Sequence, residues 1–146
     1  MPMPHFIAQR QLQFSETDMA GIAHFSNFFR WMEETEHEYF CSLGLTIMRR
    51  EQGGVHLGWP RVSASCNFHK PLYFQDDFEI RLTVERLGVK SISYLFELWR
   101  GNDHIATGRL KTACCMCGPN GEIASIEIPP DYLTRLPADE SLEQSS

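Results

Sequence analysis

The apolar residues Phe6, Ala8, Leu12 and Phe14 share one parity, with polar residues between them. That period of two predicts a half-buried first strand. The period then changes. Phe25, Phe28, Phe29, Met32, Tyr39, Phe40 and Leu43 fall on helical spacing, which predicts an amphipathic helix over about residues 25–43, stopped by Gly44. At 1.5 Å per residue it would be about 28 Å long. Glu33, Glu34, Glu36 and Glu38 read as its solvated face. A loop with Gly53, Gly54 and Gly58 follows and ends at Pro60.

After Pro60 the period returns to two. Val62, Ala64, Cys66 and Phe68 form one apolar face, and Phe78, Ile80, Leu82 and Val84 a second. Ile92, Tyr94, Phe96 and Leu98 form a third, and Gly101-Asn102-Asp103 reads as the turn into a last long strand from about His104. One strand, one long helix and four further strands predict an α+β architecture, the helix covering one face of an antiparallel sheet. Leu95 and Trp99 stand on the opposite parity, so the other face is not uniformly polar, which predicts a homo-oligomer, a dimer or a dimer of dimers. No internal repeat or linker is visible. Residues 1–137 read as one domain, and 138–146 as a polar, disordered tail.

Composition narrows the function classes. The chain has 146 residues, enough to bury a core, with 42% hydrophobic and 22% charged positions. A net charge of −6 argues against nucleic acid as a partner, because phosphate backbones are bound by clustered Lys and Arg. No stretch approaches the ~20 apolar residues of a membrane span. The start MPMPHFIAQR lacks the layout of a signal peptide. With an odd count of five cysteines, that predicts reduced thiols and a cytoplasmic location. Cys114, Cys115 and Cys117 lack the paired spacing of a zinc site, and on one continuous strand adjacent cysteines would point to opposite sides, so they read as buried small hydrophobes rather than metal ligands.

Asp18 and His24 lie just before the predicted helix. A helix start leaves N–H groups unpaired and favours negative charge, so it can hold an oxyanion. Ala20-Gly21 allows a close backbone approach between the acid and that helix. A carboxylate beside an oxyanion hole suits acyl transfer, by attacking a carbonyl or by taking a proton from water. An isolated loop aspartate also commonly just closes an Asx-turn, and His24 can be a half-buried residue at the helix start.

The run Asp18-Met19-Ala20-Gly21-Ile22-Ala23-His24-Phe25-Ser26-Asn27-Phe28, followed by Arg30-Trp31 and Glu33-Glu34, closely resembles the hot-dog-fold thioesterases of the 4-hydroxybenzoyl-CoA thioesterase family. Lys70-Pro71-Leu72 with Tyr73-Phe74-Gln75-Asp76-Asp77 is similar to that family's lead into its third strand. Gly118-Pro119-Asn120-Gly121 with Ile128-Pro129 is similar to its final turn. The likeness runs over about residues 8–136. It implies a hot-dog fold, in which a long helix lies in a curled five-stranded antiparallel sheet (β-α-β-β-β-β).

The resemblance also implies an acyl-CoA thioesterase, with Asp18 as nucleophile or general base and the Phe25 backbone N–H polarising the thioester carbonyl. One such donor is worth about 3 kcal/mol in a transition state. His24 would be a pocket wall or hydrogen-bonding partner, and Gly21 and Ile22 would border the substrate. Lys90 and, more weakly, Arg86 would meet the phosphates of coenzyme A, which enters as part of the substrate and not as a cofactor. Leu87, Gly88 and Val89 stand where the hydroxybenzoyl enzymes carry a denser basic cluster. An acyl carrier protein thioester is therefore an alternative substrate. Two other activities compete: a hot-dog hydratase or dehydratase pairing Asp18 with His24, and a non-catalytic acyl-binding module.

Overall fold

A computed structural model describes residues 3–137. In chain order the elements are β1 (Phe6–Gln11), α1 (Ser26–Ser42), β2 (Arg49–Arg50), β3 (His56–Gly58), β4 (Arg61–Phe68), β5 (Asp77–Leu87), β6 (Ser91–Arg100), β7 (Asp103–Ala113), β8 (Cys115–Cys117), β9 (Ile123–Ser125) and α2 (Pro130–Leu133). The five long strands form one antiparallel sheet in the order β1-β5-β6-β7-β4. The sheet packs against α1, giving the α+β hot-dog architecture that the sequence predicts. No helix among the described residues is long and apolar enough to cross a membrane. The tail assigned to 138–146 lies outside the described residues.

Alternation builds the core. Phe78, Ile80, Leu82 and Val84 of β5 are buried, as are Ile92, Tyr94, Phe96 and Leu98 of β6. From α1 they meet Phe28, Trp31, Met32, Thr35, Glu36, Tyr39 and Phe40, residues spaced three or four apart. At Gly108 of β7 a side chain would put its Cβ 2.6 Å from the Met32 sulfur, so the missing side chain is what lets helix and strand approach. The helix ends as predicted. The N–H groups of Gly44 and Leu45 turn back to the carbonyls of Cys41 and Phe40, at 3.0 and 2.9 Å.

Several expectations are corrected. The first strand stops at Gln11, and Phe14 begins a single 3₁₀ turn with its ring exposed. Phe25 and Phe29 are exposed, and Trp31 takes their place in the core. The stretch between α1 and β4 is more than a glycine-rich loop, because β2 and β3 join β8 and β9 in a second, four-stranded sheet. The last long strand is likewise interrupted at Cys114, where the chain steps from one sheet to the other, and that step buries Cys114 and Cys115 together.

Charge and exposure differ as well. Glu36 is not part of a solvated face: it is fully buried. Trp99 is not bare on the outer face of the sheet. The His104 ring stacks on it at 4.4 Å, and the Arg81 guanidinium lies 4.9 Å from its centre. The apolar surface left uncovered lies instead on the edge strand β4, where Val62 and Phe68 are 58% and 52% exposed.

Candidate active site

Residues 17–23 fold back on themselves before α1. The Asp18 N–H donates to the Ile22 carbonyl at 2.8 Å, and the Gly21 N–H returns to the Asp18 carbonyl at 3.0 Å. Gly21 has φ +81°, a backbone state that side chains disfavour, which is why a glycine completes this turn. The Ala23 N–H then donates to the Leu72 carbonyl at 2.9 Å, docking the loop on the segment that follows β4.

Within this turn the two carboxylate oxygens of Asp18 differ. Oδ1 accepts the Ala20 N–H at 2.8 Å and the Ile22 N–H at 3.4 Å, which is the turn-closing role open to any loop aspartate. Oδ2 accepts no hydrogen bond from the described residues. At the helix start, Asn27 and Phe28 donate their N–H groups to the carbonyls of His24 and Phe25. Ser26 donates its own to His24 Nδ1 at 3.2 Å. The Phe25 N–H has no acceptor among the described residues. A free carboxylate oxygen and a free helix-start donor thus occur a few residues apart.

Both residues border one cavity of about 410 Å³, with Ile22, Ala23, Phe28, Phe68 and Leu72 as its apolar walls and His69, Lys70 and Pro71 at its rim. Phe28 and Phe68 meet edge to face at 4.8 Å, joining helix to edge strand. Gly21 shapes the adjoining turn without lining the cavity. His24 is not among the lining residues either. Its ring stacks on Phe25 at 4.8 Å, and its Nδ1 lies 2.8 Å from the Ser26 hydroxyl, so it caps the helix rather than facing Asp18.

Lys90 and Arg86 lie elsewhere in the chain. They sit where β5 turns into β6, whereas Asp18 docks near the other end of β5. Eleven residues of strand separate the two ends, about 36 Å. One chain does not bring these cations to the cavity. Cys66 and Cys114 are also poor candidates for the chemistry, since burial pushes their thiols up to about 11 and leaves them protonated near neutrality.

One residue that organises the site escaped the sequence reading. Glu16 Oε2 accepts the Trp31 Nε1–H at 3.0 Å and pairs with Arg30, while Oε1 accepts the Gln13 N–H at 2.9 Å. Its backbone carbonyl holds the His24 N–H and the Asn27 side chain, each at 2.8 Å. Burial works to raise the Glu16 carboxyl, but the Gln13 N–H, Arg30 and Trp31 outweigh it and hold the group below the usual carboxylate range. The available signal was the spacing of Gln13 and Glu16, that of a capping box.

A larger groove of about 670 Å³ runs along the outer side of α1, but its carboxylates are mostly taken. Arg10 pairs with Glu34 and Glu38, Arg30 with Glu34, and Arg61 with Glu33 and Glu36.

A long helix in a curled antiparallel sheet, with an acid at the helix start above an apolar cavity, defines a hot-dog enzyme of acyl-transfer type. Residues 20–107 match the family model of the thioesterase superfamily. The chain is 35% identical, over 83% of its length and 91% of the relative's, to an Aquifex aeolicus protein provisionally named an esterase. It is 28% identical, over 96% of both chains, to a 1,4-dihydroxy-2-naphthoyl-CoA hydrolase of Thermosynechococcus vestitus. Among solved structures, a gentisyl-coenzyme A thioesterase superposes with a TM-score of 0.73 at 26% identity, covering 88% of this chain and 99% of its own. The chain belongs to the thioesterase superfamily and is a thioester hydrolase.

Proposed function

We propose that the protein hydrolyses a coenzyme A thioester of an aromatic acid, with Asp18 as the reacting carboxylate and the Phe25 N–H as the donor to the thioester oxygen. The observation that carries this reading is the pairing of the unengaged Asp18 Oδ2 with the unengaged Phe25 N–H on one cavity. The carbonyl oxygen gains negative charge as the carbon is attacked, and a helix-start N–H stabilises it there by about 3 kcal/mol. Asp18 either attacks the carbon itself, giving an anhydride that water then opens, or takes a proton from water as the water attacks. In both routes the carbon–sulfur bond breaks and the products are a free acid and a thiol.

The aromatic preference rests on the cavity walls Phe25, Phe28 and Phe68 and on the substrates named for two relatives, naphthoyl and gentisyl thioesters. The dehydratase alternative loses its second group, because His24 caps the helix and does not line the cavity.

The exposed edge of β4 supports a twofold dimer. Antiparallel pairing of two β4 strands would bring the Phe68 end of one beside the Arg61 end of the other. The end of the sheet carrying Arg86 and Lys90 in one copy would then approach the cavity of its neighbour, where those cations could meet the carrier's phosphates.

Thiol release from a panel of aromatic and aliphatic thioesters, on coenzyme A and on acyl carrier protein, tests the reading. Wild type and Asp18→Asn are run side by side, with protein-only blanks for the five cysteines. Release by wild type from aromatic coenzyme A thioesters, and its loss in the variant, is the expected result. Near-normal release by Asp18→Asn would remove Asp18 from the chemistry.

A further inference from the structure

The segment between β4 and β5 forms one bank of the Asp18 cavity, and it is tied to the turn between β6 and β7. His69 and Lys70 donate their N–H groups to the Ile105 carbonyl at 2.8 and 3.1 Å. The Pro71 carbonyl accepts Arg100 Nη1 at 2.8 Å, and the next carbonyl, that of Leu72, accepts the Ala23 N–H at 2.9 Å. The Tyr73 N–H donates to Asp76 Oδ2 at 2.8 Å, while the Tyr73 backbone bridges antiparallel to Ile22. Residues 71–73 are thus bonded both to the Arg100–Asp76 pair and to the Asp18 loop.

Arg100 is placed for this by the hairpin. It ends β6 opposite Asp103, the first residue of β7, across a turn in which Gly101 has φ +58°. Its fork meets three acceptors. Nη1 donates to the Pro71 carbonyl and to Asp76 Oδ2, both at 2.8 Å, and Nη2 donates to Asp103 Oδ2 at 3.2 Å. The guanidinium carbon also lies 6.0 Å from the centre of the Tyr73 ring. A lysine carries its charge on one nitrogen and does not match acceptors spaced for two. Asp103 also holds Lys70, at 2.9 Å, so it keeps a cation if Arg100 is removed. Among the described residues, Asp76 pairs with no other cation.

The path from this clamp to the candidate site is short. Ile22, bridged to Tyr73, donates its N–H to Asp18 Oδ1 at 3.4 Å and accepts the Asp18 N–H at 2.8 Å. A displacement of residues 71–73 therefore reaches the Asp18 carboxylate through one intervening residue. Arg100 does not line the cavity, so any effect it has on the chemistry passes along this path. Misplacing a reacting group by about 1 Å can cost on the order of 100-fold in rate.

We infer that Arg100 is a positioning residue for the hydrolysis proposed above: by clamping Pro71 and Asp76 it fixes the segment on which the Asp18 loop docks, and with it the aim of the Asp18 carboxylate. The inference rests on that reading for its catalytic consequence and on the hydrogen bonds alone for its structural one.

The structural consequence is read without turnover, by hydrogen–deuterium exchange of wild type, Arg100→Ala, Arg100→Lys and Arg81→Ala. Residues 17–23 should exchange at least tenfold faster in Arg100→Ala, with α1 unchanged. Arg81→Ala removes another arginine–carboxylate pair of the same sheet, the one with Glu79, and should leave residues 17–23 as in wild type. Unchanged exchange over 17–23 in Arg100→Ala, or equal loosening in Arg81→Ala, overturns the inference. If Arg100→Ala does not fold, Arg100→Lys carries the same test with a smaller expected change.

The catalytic consequence is read from steady-state kinetics on the best coenzyme A thioester. Arg100→Ala should lower kcat at least tenfold and raise KM no more than threefold, with Arg100→Lys recovering part of the loss. Added to Asp18→Asn, Arg100→Ala should lower the residual rate less than twofold, because both changes act through one carboxylate. A change confined to KM, or a further full tenfold loss in the double variant, overturns the inference. An inactive wild type, or an active Asp18→Asn, counts against the proposed hydrolysis instead, and the exchange experiment still decides whether Arg100 holds the loop.

Discussion

Two carboxylates on or beside α1 meet opposite circumstances. Asp18, at the helix entrance, is half-buried, and one of its oxygens carries no hydrogen bond from the described residues. Glu36, ten positions into the helix, is fully buried, with Arg61 donating to Oε1 at 2.6 Å and to Oε2 at 3.2 Å. Burial holds the Glu36 carboxyl above the usual range, and Arg61 works against that rise. Of the two acids, the more buried has both oxygens engaged by Arg61 and does not line the Asp18 cavity. A buried acid with a displaced pKa is therefore not by itself the reactive one. The proposed hydrolysis rests instead on a free carboxylate oxygen and a free helix-start donor on one cavity.

The sharpest way to break this comparison is to neutralise each acid in turn. Asp18→Asn should keep its melting temperature and lose about 10³-fold in kcat, within the range for positioned acid–base groups. Its counterpart, Glu36→Gln, should keep most activity, and a deep loss there would move the chemistry to the middle of the helix. Arg61→Ala comes next in size. It leaves a buried carboxylate alone and should cost roughly 3 kcal/mol, the low end for a broken buried pair because Arg61 keeps some contact with water. The sign with pH follows from the raised group. The cost is present near neutrality and shrinks as falling pH protonates Glu36, so denaturant midpoints of this variant and wild type should converge on acidification.

Glu16 behaves in the reverse sense and on a smaller scale. Its carboxyl is lowered from 4.5, so its contribution is full above that pH and fades as pH falls through the lower folded value. Glu16→Gln should cost about 1 kcal/mol, lower kcat by loosening the Asp18 loop, and flatten the acid limb of a melting-temperature profile below pH 4.5. The smallest effect is expected at the far end of the sheet. Lys90→Ala should raise KM for coenzyme A thioesters severalfold with kcat nearly intact, and an unchanged KM would take Lys90 out of the substrate path.

Local sequence carried what local structure decides. The run around Asp18, the helix and its stop at Gly44, and the alternating strands are each set by neighbours a few residues apart, and they were readable. Glu36 was not, because its burial depends on Arg61, 25 residues later on another element. Nor was Glu16, whose partners Arg30 and Trp31 meet it only once the helix has formed. The second sheet is built from strands of two and three residues, too short to show a period. Lys90 and Arg86 were visible as basic residues near a turn, but their distance from Asp18 is a property of sheet topology.

Gly108 has a consequence for how this cavity could change over evolution. It does not line the cavity, yet the close approach it allows at Met32 sets how high α1 rides over the sheet, and so how Phe28 packs on Phe68. A lineage seeking room for a bulkier acyl group could widen the slot by spacing helix from strand at position 108, with every wall residue unchanged. Acyl preference would then drift through a site that a survey of wall residues alone would overlook.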